Sequence, residues 1–284
     1  MFLTFYFLPL LLFSSFVNGQ IQCGQSNEKK SNAGQCTPGS ETRVIGGQCA
    51  NPGQFPWVTV VNLALFGMNI GICGGAILDN PIPGIPIGIP VQQFNIAIGE
   101  RNLNDANDGQ LSYTSTTAFV HPDYKACSND NSNDIALLKI GGKGMNVPKF
   151  SQNGLGSTNS ICLASATTNY TGLDVTIAGW GRTDKNNENT AKILQYAKIK
   201  VVGDSECSNT FAASYNSDTM ICAYATGKSS CNGDSGTALF YQSNSGKAEA
   251  VGITSFGVQN CEGSPVVYTR VSKYLDFIKS HLGK

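Results

Sequence analysis

From Val44 onward the chain alternates short apolar runs with turn-forming clusters. The runs "FPWVTVVNLALF", "FNIAIG", "DIALLKI", "LDVTIAGWG", "AKIKVV", "AVGITSFG" and "VVYTRV" are rich in β-branched and aromatic residues, and Gly, Asn, Asp, Ser and Pro separate them. No helical periodicity fills the intervals, so the pattern predicts an all-β sandwich or barrels. The end of the chain differs. In "SKYLDFIKSHLG", Tyr274, Leu275, Phe277, Ile278 and Leu282 recur at helical spacing and predict a C-terminal helix.

Two further segments precede this region. Residues 2–16, "FLTFYFLPLLLFSSF", are apolar and contain Pro9. They fall short of the roughly 20 residues that a membrane helix needs, and Val17 and Gly19 after them suit a signal peptidase. We expect a signal peptide at 1–19, and hence a secreted, extracellular protein with no membrane attachment after cleavage. Residues 20–43 are polar, carry Cys23 and Cys36, and offer little to bury. They predict a tethered propeptide at 20–43, ahead of one domain at 44–284.

Composition narrows the partners. Lys+Arg and Asp+Glu are both 19, a formal net charge of +0, so nothing electrostatic favours nucleic acid. Ten cysteines in an exported chain predict disulfides rather than metal ligands. There is no Cys-x2-Cys pair, and His121 and His281 are the only histidines, so no metal site is expected.

The chemistry concentrates in "SSCNGDSGT" (Ser229–Thr237). A serine between two turn-forming glycines can be presented on a tight loop, with the backbone N–H groups of Gly233 and Ser235 facing a developing oxyanion. In "RVIGG", the Arg43–Val44 bond suits a trypsin-like activating protease, and Gly46 and Gly47 let the new terminus move. A buried Val44 ammonium needs a buried carboxylate, for which Asp234 is the candidate. Asp134 opens the apolar strand of "NDIALLKI", where a carboxylate could orient a histidine.

Together "RVIGG", "CGGAIL", "HPDY…NDIALLKI", "IAGWG", "CNGDSG" and "ITSFG…VVYTRV" resemble the chymotrypsin/trypsin family in order and spacing over residues 44–284. The resemblance implies two six-stranded antiparallel β-barrels with the active site between them, and a C-terminal helix. It implies Ser235 as nucleophile, Asp134 as the triad aspartate, Gly233 and Ser235 as the oxyanion hole, and Val44 with Asp234 as the activation pair after cleavage at Arg43. It further implies disulfides Cys207–Cys222 and Cys231–Cys261, and a tether from Cys162 to Cys23 or Cys36. A monomer acting on a protein substrate or binding a protein partner is expected. Cys49 and Cys127 lack family counterparts and are candidates to pair with each other, which leaves Cys73 to the remaining propeptide cysteine.

One element of the pattern fails. Family members carry a histidine, in an A-H-C motif, shortly after "CGG"; here "CGGAILDN" runs into "PIPGIPIGIP". Prolines at 81, 83, 86 and 90 remove backbone donors and disfavour the helical turn that carries this histidine. No side chain in the stretch can take a proton. Loss of the general base from such a triad lowers turnover roughly 10⁶-fold, about 8 kcal/mol of transition-state stabilisation. Two readings follow. One is an inactive serine protease homologue that acts by binding protein; the other is an active endopeptidase whose histidine-bearing segment is missing from this sequence.

Smaller features complete the expectations. Thr237 and Ala238 stand where the family has Gly and Pro. Ser229 at the pocket floor, with Gly257 and Val266 as walls, predicts small to medium uncharged residues before any scissile bond. Asn169-Tyr170-Thr171 is a glycosylation sequon. Glu100, Asp105 and Asp108 lie in a loop resembling the family's calcium loop, and calcium there is an expectation to be tested.

Overall fold

The computed structural model describes residues 10–14, 23–28, 44–65, 68–79, 93–125, 130–140, 150–152, 154–184 and 187–282. The first sheet contains β1 (Leu10–Ser14), then, after the edge strand β2 (Gln48–Cys49) of the second sheet, β3 (Val58–Leu65), β4 (Met68–Asp79), β5 (Gln93–Ile98), β6 (Leu111–Ser115), β7 (Thr117–Val120) and β8 (Ala136–Lys139). Its order is β6-β5-β3-β4-β1-β8-β7. Only Thr116 separates β6 from β7, so the sheet returns on itself at that corner. The second sheet comprises a short β9 (Cys162–Leu163), β10 (Asp174–Gly179), β13 (Gln195–Val201), β14 (Met220–Tyr224), β15 (Ala238–Gln242), β16 (Ala248–Phe256), which β9 joins, and β17 (Val266–Arg270), while β11 (Arg182–Asp184) and β12 (Asn187–Thr190) form a separate hairpin. The additional β10–β13 pairing closes β10-β15-β16-β17-β14-β13 into a six-stranded barrel, with β2 at its margin.

The mostly β, double-barrel architecture is therefore the expected one, and every apolar run named above contributes a strand. The closing helix is also present, α2 (Leu275–His281), with Ile278 fully buried. A second helix, α1 (Asp204–Phe211), escaped the hydropathy pattern because only Cys207 of its eight residues is buried. One strand departs from a wholly antiparallel first barrel: β1 runs parallel to both β4 and β8.

The two barrels share a core. Trp57 packs edge-on against Phe240 at 5.4 Å between ring centroids, and Phe55 meets Phe240 at 5.3 Å. Such rings bury about 150–250 Å² each, so they weigh heavily in holding the halves together. A separate cluster of Val61, Cys73, Ile77, Ile96, Ala136 and Leu138 fills the first barrel.

Residues 23–28 run beside Ala248 of β16 and beside Gly53 and Ser160 in the loops. Cys23 is bonded to Cys162, and Gly24 accepts a hydrogen bond from Ala248 N at 3.0 Å while donating to Ser160 O at 2.7 Å. A β-carbon on Gly24 would fall 2.4 Å from Ala248 O, which explains a glycine there. Asn27 secures the segment through Nδ2 to Ser157 Oγ and Ser151 O, both at 3.0 Å. Cys207–Cys222 and Cys231–Cys261 are formed. Cys49 is disulfide-bonded, and Cys127 lies outside the described residues. The expectation that Cys73 pairs with a propeptide cysteine is corrected: Cys73 is a free thiol, because β4 turns it into the interior of the first barrel among Val61, Ile77 and Ile96.

Candidate active site

The loop from Ser229 to Thr237 connects β14 to β15, and its two glycines do what the sequence asked of them. Gly233 and Gly236 have φ of 99° and 86°, a left-handed backbone that other residues adopt only with strain. The turn is fastened by Asp234 N to Cys231 O (2.9 Å), Thr237 N to Asp234 O (3.0 Å), Gly236 N to Thr254 O (3.0 Å) and Gly74 N to Ser235 O (2.9 Å). Ser235 is half-buried on this loop.

Asp234 is buried beneath it. Its Oδ1 accepts from Gly181 N at 2.8 Å and its Oδ2 from Cys231 N at 2.9 Å. Burial raises its pKa to about 6 despite these two donors. The glycines of "GWG" make room for it: a β-carbon on Gly179 would lie 2.2 Å from Oδ1, and one on Gly181 2.4 Å from Cγ. Gly179 and Gly181 are thus site residues that the sequence flagged only as a motif.

The chain after Arg43, itself outside the described residues, already runs beside this loop. Val44 is 1% exposed, Ile45 bridges Ser229, and Ser229 N donates to Ile45 O at 3.2 Å. A β-carbon on Gly46 would meet Gly227 O at 2.0 Å, so this glycine is required by a close approach as well as by mobility.

Thr237, a departure from the family pattern, is well accommodated. Its Oγ1 donates to Asp234 O at 2.7 Å and lies 3.1 Å from Thr254 Oγ1. Its methyl occupies the space beside Gly74, where a β-carbon would sit 1.9 Å away. The substitution therefore carries no structural sign of decay.

Asp134 lies two residues before β8 and is joined to the Ser235 loop through β16. Ser255 Oγ donates to Asp134 Oδ2 at 2.6 Å, and Thr254 next to it pairs with both Gly236 and Thr237. Thr269 Oγ1 donates to the Asp134 carbonyl at 2.6 Å. Oδ1 is buried and has no hydrogen-bond partner among the described residues. Desolvation pushes the Asp134 pKa up to about 8, only partly opposed by Ser255. Ser255 lies within the quoted "ITSFG", but its contact with Asp134 had no signal in the sequence.

The stretch at 80–92, which contains the proline-rich replacement, lies outside the described residues. The two histidines are engaged elsewhere. His121 meets Tyr274 edge-on at 5.3 Å and Phe277 at a tilt at 4.9 Å between ring centroids, and His281 Nδ1 lies 2.7 Å from Phe277 O. Both belong to the packing of α2.

At the expected pocket, Ser229 is buried and turns its hydroxyl onto Ser230 O at 2.9 Å. Val266 is buried as well, and its Cγ2 would lie 3.5 Å from a β-carbon on Gly257, so the two walls are near contact. In the acidic loop, Asp108 Oδ2 accepts from Arg101 N (2.9 Å) and Asn102 N (2.8 Å). Glu100 is raised to about 7 by burial and by Asp108, while Asp105 is exposed and accepts from Asn107 N. Among the described residues no three ligating side chains group to hold a metal. Asn169 is exposed.

Two β-barrels, a glycine-turned serine loop over a buried aspartate and an internal segment seated beside it define the serine-protease class of fold. The Trypsin family matches residues 44–278, and the chain belongs to it. It is 29% identical over 266 residues to CLIP domain-containing serine protease B4 of Anopheles gambiae, covering 84% of this chain and 70% of that protein. It is 28% identical over 282 residues to Melanization protease 1 of Drosophila melanogaster, covering 88% and 68%. A solved structure described as "Structure of GrC" superposes with a TM-score of 0.69 at 27% identity, over 84% of this chain and 98% of that one.

Proposed function

We propose that this chain is a secreted, non-catalytic member of the trypsin family that is cleaved after Arg43 by a trypsin-like protease and acts by binding protein. The observation that carries the proposal is Asp134 Oδ1, buried and without a partner among the described residues. A triad places the imidazole's N–H there. With both histidines of the sequence engaged at α2, no histidine is left to serve Ser235 as general base, and its hydroxyl is a weak nucleophile at neutral pH. The likeness to proteins named as a CLIP-domain serine protease and a melanization protease supports a protein partner over a small-molecule one. The decisive experiment is fluorophosphonate labelling after cleavage at Arg43. We expect Ser235 to stay unlabelled, and labelling at a rate typical of an active trypsin-like enzyme overturns the proposal.

A second reading is favoured by the sound geometry of the Ser235 loop, with Gly233, Asp234 and Thr237 all well placed. In it the gene encodes an active endopeptidase and the histidine segment is absent only from this sequence. Ser229, Gly257 and Val266 would then favour small to medium uncharged side chains before the scissile bond. Sequencing of the transcript through Cys73–Glu100 separates the two: an A-H-C segment there establishes the second.

A further inference from the structure

The position of β1 bears on how this protein binds a partner. Leu10–Ser14 pairs with Gly75–Asp79 of β4 on one side, and Leu10–Phe13 pairs with Ala136–Lys139 of β8 on the other. Among the described strands β4 and β8 do not pair with each other, so β1 is the strand that links them within the first sheet. The same residues form the apolar centre of the expected signal peptide. Cleavage after Gly19 and closure of the barrel by β1 are mutually exclusive in a mature molecule.

Without β1, the facing edges of β4 and β8 would present rows of backbone N–H and C=O groups inside the barrel wall. Such unpaired edges are strong templates for an added strand. Between β4 and β5 the sequence carries prolines at 81, 83, 86 and 90, each without the N–H that a central strand donates. The surroundings state what the replacement must look like. Ala76, Leu78 and Leu137 face the core shared by the two barrels, whereas Ile77, Ala136 and Leu138 face the interior of the first. A strand seated between them has apolar side chains of β4 and β8 beside both of its faces. Parallel strands buried on both faces read as unbroken apolar runs rather than alternating ones, as "LLLF" does.

We propose that leader cleavage opens a strand-acceptor slot between β4 and β8, and that the mature protein takes up there an extended, proline-free, continuously apolar segment of about five residues from a protein partner, parallel to both neighbours. This rests on the reading of the protein as a secreted protein-binding homologue. It adds the surface and the chemistry of the partner segment.

The test begins with N-terminal sequencing of the protein recovered from the medium of a secreting host. A labelled peptide carrying the Leu10–Ser14 sequence between solubilising lysines is then titrated against it by fluorescence anisotropy, and thermal unfolding is followed with and without peptide. Variants of the peptide alone, Leu12→Pro, Leu11→Asp and Leu12→Asp, leave the protein's own folding untouched. We expect a start at Gln20, binding at least tenfold tighter for the parent peptide than for each variant, and a rise in Tm with the parent only. Both Asp variants should fail, because β4 and β8 line the slot with an apolar cluster on each face. A secreted chain that retains residues 10–14 overturns the proposal by showing that the slot never opens, and it refutes the leader reading as well. A start at Gln20 with no binding, or with equal binding of all four peptides, overturns the slot while leaving the leader reading intact.

Discussion

Replacing Asp134 by asparagine should make this protein more stable, increasingly so as pH rises. In the folded protein the carboxyl has a pKa of about 8, against 3.8 for the free group. Between those values the folded state holds a proton that the unfolded chain has lost, so unfolding becomes easier with each pH unit by about 1.4 kcal/mol. The sign is that of a raised acid: the stability is present at low pH and is lost as pH rises toward 8. By pH 7 the deficit is about 4 kcal/mol, growing toward about 6 kcal/mol above pH 8 as an upper bound for a fully buried site. Its cause is physical isolation. Asp134 has Ser255 on one oxygen, nothing on the other among the described residues, and the neighbouring Tyr274 phenol is itself pushed up to about 12. The asparagine amide cannot ionise, and it keeps an oxygen for Ser255. Urea unfolding of both proteins at pH 4, 5.5, 7 and 8 should give midpoints that nearly coincide at pH 4 and differ by more than about 1 M at pH 7. Asp234 and Glu100 also lose stability with rising pH, but they are common to both proteins and cancel in the comparison. Parallel midpoint curves across this range would refute the reasoning, since they would mean that folding does not raise the Asp134 pKa.

Cleavage at Arg43 should free the Val44 ammonium to pair with Asp234 and reverse that group's shift. Its pKa of about 6 should fall below the usual carboxylate range, and cleaved protein should gain stability over intact protein at pH 8 more than at pH 5, read from the two urea midpoints. The propeptide should remain attached after this cleavage through Cys23–Cys162, released on a gel only under reducing conditions. Gly181→Ala should destabilise by about 1–3 kcal/mol in thermal unfolding, because its β-carbon would press on the Asp234 carboxyl. Cys73, buried with a thiol pushed up to about 12, should resist alkylation in the native protein and react fully once it is unfolded.

Much of the fold was legible in the chain because β-prone runs and turn clusters are local signals. The runs at Val58–Leu65, Asp174–Gly179 and Ala248–Phe256 are strands, and the helical spacing near Tyr274 marks α2. Sequence alone also located Ser235 between its two glycines, placed Asp134 at the head of a strand, and revealed that no histidine occupies the expected interval. Those features depend on residue types at short spacing.

What needed the tertiary structure were relations between residues distant in the chain. Ser255 reaches Asp134 across a separation of 121 residues, and Gly181 exists to admit Asp234. The choice of Cys23 over Cys36 for Cys162 follows from where residues 23–28 lie against Ser160 and Ala248. The solitary Cys73 follows from the inward face of β4. Least legible of all was β1: an apolar run reads alike as a leader or as a strand buried on both faces, and only the gap between β4 and β8 shows which partners it can pair with. Local pattern determined which segments are strands; closure of the barrels decided which of them meet.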